Sequence, residues 1–141
     1  MRRSFLLTTT LVYLALSLNA STIFVKLGST GSGTSWKDAT GDLNAALFIA
    51  QAGDEIWVGQ GTYYPTNNPK DRKAAFNIPP GIRVYGGFAG NETSLEQRDF
   101  RVTKTILSGN IGAKEDYADN SYTVVYIKNA DEYTTVYELS A

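Results

Sequence analysis

The 141-residue chain contains no cysteine and no histidine. The first absence rules out disulfide staples, thiolate-bound zinc and thiol nucleophiles. The second removes the Ser-His-Asp triad, histidine general bases and most catalytic zinc sites. An excess of charge of one sign is missing too: 13 Lys+Arg face 14 Asp+Glu, a net charge of -1. No electrostatic footprint for nucleic acid is present, so a nucleic-acid partner is not expected. Any chemistry would run on Asp, Glu, Lys, Arg, Tyr or a borrowed metal. What remains, 43% hydrophobic and 19% charged, is the composition of a globular chain of about one domain.

The one long apolar run opens the chain. Arg2 and Arg3 precede an uncharged stretch over residues 5–18, which is 14 residues long, and Ser17, Asn19, Ala20 and Ser21 follow. This is the three-part layout of a secretory signal peptide, with the cut expected after Ala20. A membrane span wants about 20 apolar residues, so a retained anchor is the second reading. Cleavage leaves residues 21–141, with 11 basic against 14 acidic side chains. No other stretch is apolar enough to span a bilayer, so export to the medium or the cell surface is expected.

Residues 23–27 read as a short strand, and 28–35 as a Gly/Ser/Thr loop. Leu43, Ala46, Leu47, Ile49 and Ala50 recur at helical spacing, with Asp42 or Thr40 as N-cap and Gly53 at the stop. Beyond Gly53 come short β-rich runs between Gly, Pro and Asn, starting at Ile56, Ile82, Ile106 and Val124. Their steps of 26, 24 and 18 residues suggest a solenoid. A sandwich would space its strands 8–12 residues apart. Asn77, Asn110, Asn120 and Asn129, with Gly59, Gly61, Gly86, Gly87 and Gly109, suit its corners. The helix over 42–52 suits the capping of an open end.

Four segments carry a resemblance. They are Ala52-Gly-Asp-Glu-Ile-Trp-Val-Gly-Gln-Gly-Thr-Tyr63, Gly81-Ile-Arg-Val-Tyr-Gly-Gly-Phe-Ala-Gly-Asn-Glu-Thr93, Ile106-Leu-Ser-Gly-Asn-Ile-Gly112 and Asn120-Ser-Tyr-Thr-Val-Val125. Together they resemble the opening coils of bacterial right-handed parallel β-helix proteins, the pectin-lyase-like, polymorphic outer-membrane-type surface proteins. The likeness runs from about Ile23 to Val136. It implies an all-β solenoid: the start of a right-handed parallel β-helix of about four coils, with an N-terminal capping α-helix. Members of the group continue for many more rungs. Thr135-Val-Tyr-Glu-Leu-Ser-Ala141 loses the glycines that would follow, so a truncated N-terminal portion is expected, one that self-associates through its open C-terminal coil.

The loop 28–35 has the Gly-x4-Gly spacing of a phosphate loop, but Thr34 stands where the lysine must be, and a flexible turn is the better reading. Asp54 and Glu55 are neighbours on a strand and point to opposite faces, so they cannot flank one glycosidic bond. Glu115, Asp116, Asp119 and Asn120 form an oxygen-rich group that could take Ca²⁺, although the spacing does not match a calcium loop and a solvated acidic loop is commoner. Otherwise no cofactor is implied. Trp36, Tyr63, Tyr64, Tyr85 and Phe88 lie near turns, where rings either pack on one another or stack on sugars, and packing is favoured. Lys70, Arg72, Lys73 and Arg83 form a basic group that an acidic polysaccharide could pair with. Asn91-Glu-Thr93 is a glycosylation acceptor pattern of little weight. Trp36, Tyr64, Lys70, Arg72 and Arg83 are therefore the candidate glycan contacts, with no catalytic or metal residue assigned. The expected function is a non-catalytic secreted or cell-surface module, adhesin-like and contacting a polysaccharide or host glycan. The alternative is the N-terminal fragment of a polysaccharide lyase or glycoside hydrolase.

Overall fold

The computed structural model describes residues 19–137 and 139–140; residues 1–18 of the expected signal peptide lie outside the described residues. The elements are β1 (Thr22–Val25), α1 (Leu43–Ile49), β2 (Glu55–Gly59), β3 (Gly61–Tyr63), β4 (Phe76–Ile78), β5 (Arg83–Phe88), β6 (Thr105–Leu107), β7 (Val125–Ile127), β8 (Thr135–Tyr137) and β9 (Leu139–Ser140). Two single 3₁₀ turns lie at Leu95–Gln97 and Tyr117–Asp119.

The strands form three small sheets, ordered β1-β2-β5-β8, β3-β6-β9 and β4-β7, and every strand pair is parallel. These findings correct the expected four-coil β-helix. The sheets hold four, three and two strands, so successive passes of the chain do not form equivalent turns and no closed solenoid results. The described residues make a mixed architecture of short parallel strands with one helix. The spacing argument failed because the four apolar runs belong to different sheets. Ile56 and Ile82 lie in or beside the first sheet, Ile106 in the second and Val124 beside the third. True equivalents in the first sheet are Ile23, Ile56, Val84 and Val136, which are 33, 28 and 52 residues apart.

Alternation along the strands explains the core. Ile23 and Val25 of β1, and Ile56 and Val58 of β2, point inward with Val84 of β5. They meet Tyr63, Phe76, Ile78, Ile82 and Leu107 from the other sheets. Helix α1 adds Leu43, Ala46 and Leu47 and packs against β4, β1 and β2. Asp42 is its N-cap: the carboxylate accepts from Asn44 N at 2.8 Å and Ala45 N at 3.2 Å. The helix is shorter than 42–52, because Ala50 is already extended with ψ 141°.

The other face of the first sheet carries a second, aromatic layer. Register places Phe24 beside Trp57, Trp57 beside Tyr85, and Tyr85 beside Tyr137. Trp57 stacks on Phe88 at 4.8 Å, and Tyr85 on Tyr137 at 5.2 Å. Between β2 and β5 the register slips, so Val58 faces both Gly86 and Gly87. Gly87 takes φ 85°, and a Cβ there would press on Phe100 at 2.9 Å. This bulge needs glycine. Asn129, with φ 55°, does turn the chain as expected, whereas Asn77 lies within β4.

Candidate functional site

Strand β3 ends at Tyr63, Tyr64 follows it directly, and the two point opposite ways. Tyr63 is buried; its hydroxyl donates to Gly59 O at 3.0 Å, and burial pushes its pKa up to about 12. Tyr64 turns outward and is 46% exposed. The loop that follows, Tyr64-Pro-Thr-Asn67, is pinned to α1 by Asn44 Nδ2, which donates to Pro65 O at 2.8 Å.

Three clefts share this loop as a wall. One, of about 330 Å³, lies between α1 and β3, with Asp42, Asn44, Thr62, Tyr64 and Thr66 on its sides. A second, of about 260 Å³, lies across Tyr64 and is walled by Asn67, Asn110 and Gly112. A third, of about 530 Å³, begins at Asn44 and Pro65 and runs past Phe48 to Lys73. The first shares Asn44 and Pro65 with the third, and Tyr64, Thr66 and Asn67 with the second, so the three adjoin along this loop as a grooved surface. Tyr64 stands between the first two clefts among amide and hydroxyl side chains, and the third carries the exposed Phe48 ring and ends at a lysine.

Of the five candidate contacts, Tyr64 alone lies on this groove, and the other four do not gather around it. Trp36 is half-buried in the aromatic layer, 5.0 Å from Phe24 and 5.4 Å from Phe88, and its indole donates to Glu92 O at 2.9 Å. Arg72 donates to Asn120 O at 2.8 Å and lies 4.2 Å over the Tyr122 ring. Arg83 pairs with Glu55 at 3.3 Å on the first sheet. Lys70 is exposed in the loop beyond Tyr64. Sequence reasoning missed Asn44, Thr66 and Asn67. Their signal was an aromatic followed at once by an amide- and hydroxyl-rich turn.

Carboxylates elsewhere serve as anchors. Asp54 is buried beside the chain's first described residues. Burial opposes its ionisation most strongly, but bonds from Gln51 N, Ser21 N and Ser21 Oγ together outweigh that and hold its pKa below the ordinary value. Glu92 repeats the pattern: burial again opposes, and the N–H groups of Ala89, Asn91 and Gly90 win. Asp38 and Asp131 are lowered first by hydroxyl donors, Ser32 and Thr134 respectively. Such groups are ionised and occupied, unlike a general acid, whose pKa must be raised. Asp54 also closes the turn after α1, while Glu55 is tied to Arg83 and to the Trp57 indole at 2.9 Å.

Among the described residues no group of three or more Asp or Glu is placed to hold a metal, and no helix is long and apolar enough to cross a membrane. Comparison with family models, curated proteins and solved structures found no match.

Proposed function

We propose that this chain is a non-catalytic module, exported to the medium or the cell surface, that holds a glycan chain along the groove centred on Tyr64. The observation that carries the reading is the placing of the exposed Tyr64 ring between two polar clefts, with a third, bearing the exposed Phe48 ring, adjoining them. A sugar ring presents an apolar face to a tyrosine and hydroxyls to its sides. Asn44, Thr62, Thr66 and Asn67 supply both donors and acceptors for those hydroxyls. The elongated shape suits a polymer rather than a monosaccharide. Lys73 at one end favours an acidic residue there.

Saturation-transfer NMR with a neutral β-glucan hexasaccharide and an oligogalacturonate tests this. Binding is expected, and Tyr64→Ala should weaken it about tenfold, since one aromatic contact contributes about 1.4 kcal/mol. Lys73→Ala should weaken the acidic probe alone. Absence of transfer to either sugar, or binding indifferent to Tyr64, would overturn the reading. Ultraviolet-absorbing unsaturated products would favour the lyase alternative.

A further inference from the structure

The loop 109–121 folds back on itself as a compact surface excursion. Ser121 N donates to Gly109 O at 2.8 Å, closing its base. Across the interior, Ala113 N donates to Asp119 Oδ2 at 2.7 Å, and Asn110 Nδ2 donates to Lys114 O at 3.0 Å. Four side-chain oxygens in this loop are buried yet have no hydrogen-bond partner: Asn110 Oδ1, Asp119 Oδ1, Asn120 Oδ1 and Ser121 Oγ. Each residue lies on, or next to, one of those cross-links, so all four belong to the one closed loop. Buried acceptors without donors are rare and costly.

We infer that the loop is a Ca²⁺ site, with Asn110, Asp119, Asn120 and Ser121 supplying side-chain oxygens. Three of the four are acceptors only, and a single water brings just two protons. A hard cation satisfies all of them at once. Amide, carboxylate and hydroxyl oxygens without nitrogen or sulfur select Ca²⁺ over zinc. Asn110 is fixed in this sense, because its amide nitrogen is committed to Lys114 O. Gly112 belongs to the design: a Cβ there would collide with the Asp119 carboxylate. The acidic residues nearby are not equivalent. Asp116 caps the 3₁₀ turn through Ala118 N at 2.8 Å, and Glu115 is exposed. With one carboxylate among the ligands, affinity falls at the weak end of calcium sites, with Kd of about 10⁻⁴–10⁻³ M.

Isothermal titration of the purified chain with CaCl₂, and separately with MgCl₂, tests this without reference to any glycan. Calcium should bind with one site and raise Tm, and magnesium should do neither at the same concentration. Asp119→Asn keeps the shape and an acceptor for Ala113 N, and should weaken Ca²⁺ at least tenfold. Gly112→Ala should weaken it comparably, and Glu115→Gln should leave it unchanged. If Asp119→Asn does not fold by circular dichroism, Ser121→Ala serves in its place. No calcium heat at millimolar concentration refutes the site. Equal loss in Glu115→Gln and Asp119→Asn refutes it too, since that pattern means diffuse attraction by acidic charge.

Discussion

Asp54→Ala would cut the tie between the chain's first described strand and the turn after α1. Asp54 is 7% exposed and accepts from Ser21 N at 2.8 Å, Ser21 Oγ at 2.9 Å and Gln51 N at 2.9 Å. Each bond to a charged acceptor contributes about 1.5–3 kcal/mol. All three together would give about 5–9 kcal/mol if their donors stayed buried. Ser21 and Gln51 are both exposed, however, so water replaces the lost acceptor. The expected loss is therefore about 2–3 kcal/mol. In urea, where the slope is about 1–3 kcal/mol per molar, the midpoint should fall by about 1 M with the slope unchanged. Asp54→Asn keeps an acceptor but not the charge and should lose about half as much. The folded pKa of Asp54 lies below its unfolded value, so the unfolded chain binds this proton first as pH falls. Its contribution is complete above the ordinary carboxyl pKa of about 3.9 and is lost as pH drops through the folded value. The acid limb of the stability curve should be shallower in Asp54→Ala, with Glu92 supplying part of what remains. An unfolding free energy within about 0.5 kcal/mol of the parent would refute the argument, because it would mean that the tie carries no stability.

Leu47→Asp places a charge at a site 3% exposed, where an unpaired carboxylate costs several kcal/mol; cooperative melting should be lost, and a parent-like melt would mean α1 does not seal the core. Tyr63→Phe removes a buried hydroxyl and one of two side-chain donors to Gly59 O, Thr105 Oγ1 remaining at 3.2 Å, for a loss of about 1 kcal/mol by urea unfolding. Spectrophotometric titration of the parent should show a phenol titrating only near pH 12, gone in that variant. Gly87→Ala forces a side chain into a positive φ against Phe100, and should cost about 1–3 kcal/mol, read as a lower Tm. Among the described residues β7, β8 and β9 are terminal in their sheets, with Tyr126, Ile127 and Tyr137 exposed. Self-association is expected from such edges, and a monomer at all concentrations in sedimentation velocity would count against it.

Local chemistry was legible in the sequence where a single element decides it. Asp42 as N-cap and the stripe of Leu43, Ala46 and Leu47 follow from helical period and capping preference alone. The aromatic packing of Trp36, Tyr85 and Phe88 was also the favoured reading. Strands β3, β4, β8 and β9 were not foreseen, because two or three residues carry too little alternation to stand above their loops. The same shortness undid the fold reading. A three-residue strand shows at most two inward side chains, so apolar spacing records which residues face the core but not which sheet they join. Sheet membership is set by the turn angles between strands and by which partner offers free N–H and C=O groups. Tyr63 and Tyr64 show the cost. Alternation requires one to face in and the other out, but pairing of Tyr63 with Leu107 is what turns Tyr63 inward and leaves Tyr64 on the groove. That pairing joins residues 44 positions apart, and no local pattern encodes it.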